Sequence, residues 1–471
     1  MLFLRKCAFY IFLTAYLIVC PFIVLYALGY ILKPAPSGSL VKTGDIYLAT
    51  SPPGASVYVN KKIIDNKTPA LLDKLLPGDY GVSIFLEKYR PWNYVVRVEA
   101  GGAKALDKIL LIPKEWRPET LAEGNFANII SSPGADVFVV TGGAKIGDYS
   151  ACYYKSGKTR PLVNEESPYA GYAVKSCFTA RESGAFLFIA ASGEKDLLLW
   201  VNLEDDTAEP QDITDLFPAK PGEVTWSAAS EETIFAFQHD FINKIDISLE
   251  ALYPRYVKKA RGMGVLNGTL YVLGDDGTLY STDFDDTKRV PILEDAGLGE
   301  QIFGKSGYFK ILPFTGNIIL FLGGKGELLS NHLPYRFVEG GVRGVRFYEA
   351  AGDILLWTKG KIGILDFAKE DTGGVFEKGP KLDWVYGEGS DIREAEWVYD
   401  GSHILFRDGS TVNLLALKGR DKPRLISLFP VKEKSSIFYS EDTGNFYYID
   451  KETGALMALS IISPVKDKTK K

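Results

Sequence analysis

One stretch of the chain has the spelling of a phosphate-binding loop. Gly299-Glu300-Gln301-Ile302-Phe303-Gly304-Lys305-Ser306 sets two glycines, a lysine and a hydroxyl residue at the spacing that cradles a nucleotide phosphate. That chemistry needs a helix directly after the loop, so that the helix N-terminus faces the phosphates. Here Gly307-Tyr308-Phe309-Lys310-Ile311-Leu312-Pro313 follows, and glycine, aromatics and proline predict a strand. No nucleotide and no other cofactor is expected. The three histidines, His239, His332 and His403, lie far apart without metal-ligand spacing. The acid pairs Asp205-Asp206, Asp275-Asp276 and Asp285-Asp286 lack the terminal glutamate of a calcium loop. They read as solvated turn residues, with weak calcium binding as the alternative. Cys152 and Cys177 are either two buried thiols or, in an oxidising compartment, a disulfide. Cys7 and Cys20 fall inside an apolar run. No nucleophile elbow occurs, so no catalytic, metal or cofactor residue is assigned. Two carboxylates flanking a glycosidic bond leave no local signature, so that chemistry stays open.

The composition bounds what such residues can be built on. The chain has 471 residues, 46% of them hydrophobic and 24% charged, which excludes a disordered or collagen-like polypeptide. With 47 glycines, 24 prolines, 26 tyrosines and 27 phenylalanines against three methionines, strands and turns are favoured over helical bundles. The formal charge of −5 argues against a nucleic-acid partner, which needs a basic surface.

The charge is unevenly placed. Residues 7–32 form one apolar run with no charged side chain. As a helix it would be about 39 Å long, enough to cross a hydrocarbon core of about 30 Å with some tilt. Arg5 and Lys6 precede the run, while Lys33 and Lys42 follow it more sparsely. Positive-inside bias then places residues 1–6 in the cytoplasm and the rest outside. An uncleaved anchor is the reading taken. The run exceeds a signal-peptide core and lacks a small-residue cleavage site. Leu17-Ile18-Val19-Cys20 resembles a lipoprotein box, but with a bulky Val19. Residues 1–44 hold four bases and no acid, so the remainder carries −9 and is expected to project from an anionic bilayer rather than lie on it.

Residues 33–43, with Pro34, Pro36 and Gly38, read as a partly extended spacer. From residue 44 short strands alternate with proline–glycine turns. Ser51-Pro52-Pro53-Gly54-Ala55 precedes Val57-Tyr58-Val59-Asn60; Thr68-Pro69 breaks the chain again; Leu75-Leu76-Pro77-Gly78-Asp79-Tyr80 forms a further turn. This pattern predicts a small antiparallel β-sandwich. On the order and spacing of Pro52, Gly54, Ala55, Asn60, Thr68, Pro69, Pro77, Gly78 and Tyr80, followed by Tyr89 and Trp92, residues 44–113 resemble a PEGA domain. Pro53 replaces the glutamate of that motif, and Lys61 the glycine common after the asparagine. The resemblance implies a non-enzymatic envelope module beside a membrane anchor. Tyr89 and Trp92 flank Arg90-Pro91, where they either stack on a sugar ring or cap the small core.

The remainder repeats. A glycine followed six residues later by an aspartate recurs at Gly277–Asp283, Gly360–Asp366 and Gly444–Asp450, with a weaker copy at Asp240–Asp246. The spacing fits one or two periods of about 42 residues, the length of a four-stranded propeller blade. Strand pairs separated by Asn267-Gly268, Asp276-Gly277 and Asp408-Gly409 fit the same scheme. Residues 125–460 therefore read as a β-propeller of seven or eight blades, with two stacked β-sandwiches as the alternative. Residues 461–471 read as a charged tail.

The expected molecule is mainly β: a transmembrane helix, a PEGA-like sandwich and a propeller. Its expected role is a non-catalytic, extracytoplasmic binding or scaffold module, held in the bilayer through residues 7–32. Cell-wall polysaccharide or an envelope protein is the expected partner. An extracytoplasmic hydrolase or lyase acting on envelope glycan is the competing class.

Overall fold

The computed structural model describes residues 2–32, 39–132, 135–181, 183–227, 230–282, 289–293, 307–314, 318–331, 335–370, 380–417 and 423–461. By contact the chain divides into two compact units, one holding residues 1–117 and the other most of residues 118–459.

The first unit opens with a helix, Leu2–Ala27. Its Phe9–Ala27 stretch has a mean hydropathy of 2.2, and none of it is buried by the rest of the protein. At about 1.5 Å per residue it spans close to the thickness of a hydrocarbon core, so it is long and apolar enough to cross one. The helix stops earlier than the apolar run does. The Leu28 N–H donates to Val24 O at 2.9 Å and the Gly29 N–H to Tyr26 O at 3.1 Å. Gly29 then takes φ +83°, a left-handed conformation that ends the helix and suits glycine. Tyr30–Leu32, expected inside the membrane run, is instead a strand paired antiparallel with Leu40–Lys42. Part of the expected spacer is therefore strand; residues 33–38 lie outside the described residues. Thr43 ties the joint: its N–H and hydroxyl both donate to Gly29 O, at 2.8 and 2.7 Å. The Lys74 ammonium donates to the Tyr26 hydroxyl at 2.6 Å and lies 4.1 Å from its ring centre.

Two sheets follow within this unit. One has the order Ala70–Leu75, Gly44–Ser51, Ala103–Leu110; the other Lys62–Lys67, Ser56–Val59, Gly78–Phe85, Trp92–Val98. Ile46, Leu48, Val57, Ile84, Val96 and Leu106 alternate inward and fill the space between them. The sandwich is not wholly antiparallel as expected. Gly44–Ser51 pairs parallel with Ala103–Leu110, because the last strand returns beside the first after the chain has built the second sheet. Gly44 permits that return: a Cβ there would sit 2.6 Å from the carbonyl oxygens of Glu99 and Gly102.

In the second unit, the strands of the described residues form six four-stranded sheets and one eight-stranded sheet, and the latter divides at a parallel contact into two runs of four, giving eight groups. Their first strands are Asn128–Ser131, Ala173–Thr179, Glu223–Ser227, Ala260–Leu266, Phe309–Pro313, Val342–Tyr348, Ile392–Val398 and Phe438–Ser440. Seven groups are consecutive meanders. The eighth takes its outermost strand from Glu119–Ala122, which pairs with Leu456–Ser460, so both ends of the unit meet in one sheet. That strand precedes residue 125, where the propeller was expected to begin. Apolar clusters bridge neighbouring groups: Val139 and Phe188 join the first and second, Leu187 and Trp226 the second and third, Phe138 and Tyr447 the first and eighth. Each group thus buries both faces against its neighbours, the packing of a β-propeller. The fourth and fifth first strands also bond directly, in parallel, through Gly262↔Phe309 and Met263↔Lys310.

The repeat is real, but one copy is out of phase. Third strands of the groups begin at residues 149, 195, 241, 279, 328, 362, 411 and 456. The copies at Asp240, Gly277 and Gly360 lead into third strands. The Gly444 copy leads into Asn445–Ile449, a second strand. Glycine-to-aspartate spacing marks a hairpin entering a buried strand, and two hairpins in each group meet that description.

Candidate functional site

Of the turn residues expected in the small domain, Pro52, Gly54, Ala55 and Pro69 are drawn together around one buried side chain, Thr68. The Ala55 N–H donates to Thr68 Oγ1 at 3.0 Å, and the two threonine hydroxyls of Thr50 and Thr68 lie 2.6 Å apart. Thr50 donates its own proton to Pro52 O at 2.7 Å. Thr68 must therefore donate to Thr50, and a directed chain runs from the Ala55 amide through two hydroxyls to the Pro52 carbonyl. The Gly54 N–H donates to Thr68 O, at 2.7 Å, and the Thr68 N–H to Ala55 O, at 2.9 Å. Pro69 follows through a cis bond, as does Pro52 after Ser51. Asn60, at φ +47°, accepts from the Gly81 N–H at 2.9 Å, and the Tyr80 hydroxyl donates to Leu76 O at 2.8 Å beside Pro77 and Gly78.

Tyr89 and Trp92 are both half-buried and pack against the core of this domain. Tyr89 bridges to Pro113, and the Trp92 ring lies 5.8 Å from that of Tyr94.

The other chemistry-bearing residues are mostly dispersed. His239 sits at a turn with φ +55°, its ring 6.3 Å from Phe241. His403 is buried, with Nδ1 2.9 Å from the Ser402 hydroxyl. His332, Asp285-Asp286 and residues 299–306 lie outside the described residues; Phe309–Pro313, after that glycine-rich stretch, is a strand. Asp205 accepts from the N–H and hydroxyl of Thr207, at 2.8 and 2.6 Å, bonds that hold its carboxyl below the usual range. Asp276 accepts from the Thr278 N–H at 2.9 Å. These acids shape turns. Cys152 and Cys177 are free thiols rather than a disulfide. Burial pushes the Cys152 thiol up to about 11 and raises Cys177 as well, which disfavours the thiolate at both.

What the sequence did not locate is a central cavity of about 1340 Å³. All eight first strands contribute to its wall, from Asn128 and Thr179 to Glu396 and Tyr439. Some of the charged groups are engaged with one another. Lys310 pairs with Glu223 at 2.8 Å and Arg346 with Glu396 at 2.9 Å. Glu394 accepts from the Ile437 N–H at 2.9 Å and faces the buried Arg407 at 3.6 Å. Glu231 accepts from the Asn202 side-chain amide, and burial followed by the nearby Glu204 raises its carboxyl. Two indole N–H groups in the wall, of Trp200 and Trp226, are buried without a hydrogen-bond partner among the described residues. The available signal was weak: these residues sit on alternating strands whose register around a ring is invisible to local pattern.

A family model described as the PEGA domain matches residues 43–110, so this part of the chain is a PEGA domain. No curated protein sequence matches the chain. Among solved structures it is similar to the C-terminal WD40 domain of Sif2, at 10% identity, covering 73% of this chain and 98% of that one, with a TM-score of 0.48. It is also similar to the β-propeller domain of Cps50 (Swd1) from Myceliophteria thermophila, at 11% identity, 73% and 99% coverage and a TM-score of 0.42. YCF48 from Cyanidioschyzon merolae matches at 10% identity, with 73% and 98% coverage and a TM-score of 0.40.

Proposed function

We propose that this chain is a single-pass membrane protein whose PEGA domain and propeller lie outside the cytoplasm, where they form a non-catalytic binding or scaffold module of the cell envelope. The observation that carries this reading is the cavity of about 1340 Å³ reached by every first strand, with charged side chains already paired across its wall. A preformed wall with two ion pairs already made and an excess of carboxylates suits recognition, since little reorganisation is needed to bind. The partner is cell-wall polysaccharide or an envelope protein, not nucleic acid or nucleotide. The bias of Arg5 and Lys6 over Lys33 and Lys42 supports a cytoplasmic N-terminus. A second reading, a hydrolase or lyase acting on envelope glycan, is favoured by the place of Glu231 in the cavity wall, held by the Asn202 amide, with its carboxyl raised by burial.

Two measurements test the proposal. External protease applied to intact cells should digest the propeller; protection would place it in the cytoplasm and end the envelope reading. The detergent-solubilised chain should then co-sediment saturably with cell-wall material or capture a cross-linked envelope protein, leaving the glycan uncut. Release of shortened glycan, lost in Glu231→Gln, would move the protein to the enzyme class.

A further inference from the structure

The joint between the helix and the PEGA domain sets a lysine at a defined depth. From Arg5 to Tyr26 the helix rises about 32 Å at about 1.5 Å per residue, close to a hydrocarbon thickness of about 30 Å. With Arg5 at one headgroup layer, the Tyr26 hydroxyl reaches the other. No charged side chain stands between Lys6 and Lys33, so the helix brings no cation of its own to that end. Lys74 supplies one from 48 residues away, its ammonium donating to the Tyr26 hydroxyl at 2.6 Å. The Lys74 backbone is held at φ +57°, a left-handed conformation uncommon for lysine, and its N–H donates to the Asp45 carboxylate at 3.1 Å.

The direction of that bond leaves donors over. An ammonium only donates, so the Tyr26 oxygen accepts and its own proton must go elsewhere. No acceptor for it is present among the described residues. Tyr26 is 55% exposed and Lys74 is exposed too, so an O–H and further N–H groups stand side by side in reach of a ligand. Asp73 adds its charge beside Lys74 but forms no ion pair with it among the described residues. The same joint leaves Leu28 59% and Leu40 44% exposed, apolar surface continuous with the span. Two donors, one of them charged, with apolar side chains around them match an anionic oxygen carried on acyl chains. We propose that Lys74 and Tyr26 together hold a phospholipid phosphate and so seat the base of the PEGA domain in the headgroup layer. The proposal rests on the reading of the helix as a membrane span and deepens it.

The test is native mass spectrometry of the full chain in a maltoside detergent, titrated with phosphatidylglycerol. The chain should retain at least one lipid saturably. Tyr26→Phe keeps the ring and removes the hydroxyl, while Lys74→Gln removes the charge; each should weaken the tightest binding step by roughly tenfold. Lys67→Gln, at an exposed lysine on another strand of the same domain, should leave it unchanged. Thermal melting verifies that each variant is folded, and Tyr26→Phe keeps the test decisive if Lys74→Gln loosens the joint. Glycerol phosphate, which has the phosphate without acyl chains, should compete only weakly; full competition would make this a site for soluble anions and overturn the lipid seat. Unaltered lipid binding in folded Tyr26→Phe also overturns it. Flotation of the reconstituted chain with phosphatidylglycerol vesicles would then show that the membrane span survives, whereas a chain left behind by the vesicles would end the span reading itself.

Discussion

Thr68 accepts from one backbone amide and passes its own proton to a second hydroxyl, all within a buried turn. Thr68→Val keeps the shape but leaves the Ala55 N–H unsatisfied, a loss of about 1–3 kcal/mol. Hydrogen exchange at Gly54 and Ala55 in the full chain should accelerate accordingly, while exchange in the propeller should not change. Asp391 carries a second residue-scale prediction. Hydrogen bonds from Arg343 and Arg393, at 2.7 Å each, lower its carboxyl from 3.8 to about 2. Its folded value lies below its unfolded one, so the stabilisation is complete above about pH 4 and fades as the pH falls toward 2. Exchange at Ser390–Ile392 should therefore rise in that acid window, and Asp391→Asn should remove the pH dependence. The Thr68 turn was legible as a motif because its proline, glycine and threonine are close in sequence. The Asp391 ion pairs were not, because Arg343 belongs to a different group of strands.

Among the elements, the parallel contact between Ala260–Leu266 and Phe309–Pro313 depends on two glycines. A Cβ on Gly262 or Gly264 would lie 2.3 or 2.2 Å from the carbonyl oxygens of Phe309 and Ile311. Gly264→Ala should cost roughly 1–3 kcal/mol through forced separation of these strands. Gly324→Ala, where the new carbon meets nothing within 4 Å, should stay within about 0.5 kcal/mol. Chemical denaturation of the two variants side by side checks both figures. The joint between helix and PEGA domain makes a different prediction. Thr43 and Lys74 hold Gly29 and Tyr26, so the domain is clasped to the helix end rather than tethered by a spacer. A spin label on exposed Ile63, in nanodiscs, should show restricted domain motion that increases in the Thr43→Val, Lys74→Met double variant. The spacer was expected from its prolines, and only the pairing of Leu40–Lys42 with Tyr30–Leu32 reveals the clasp.

For the whole molecule, closure rests on Glu119–Ala122 completing the sheet of the last group. Deleting residues 119–122 exposes the edge of Leu456–Ser460 and removes three paired positions. Loss of roughly 2–4 kcal/mol is expected, seen as a propeller melting transition lowered by roughly 5 °C or more. An unchanged transition would mean that the apolar seams alone close the ring.

Local pattern determined much of this protein. The apolar run required a helix, the proline–glycine turns carried the PEGA domain, and the recurrent hairpins implied a propeller. Each of these signals lies within a few tens of residues, because helix formation, turn chemistry and strand alternation are short-range effects. Tertiary structure alone decided the parallel return at Gly44, the phase of the Gly444 repeat, the half-burial of Tyr89 and Trp92 and the unpaired state of Cys152 and Cys177. It also created the cavity, whose wall assembles residues from Asn128 to Phe446. The reason is physical: ring closure places groups together through burial of sheet faces against neighbours, and that contact energy has no counterpart in the sequence around any one of them.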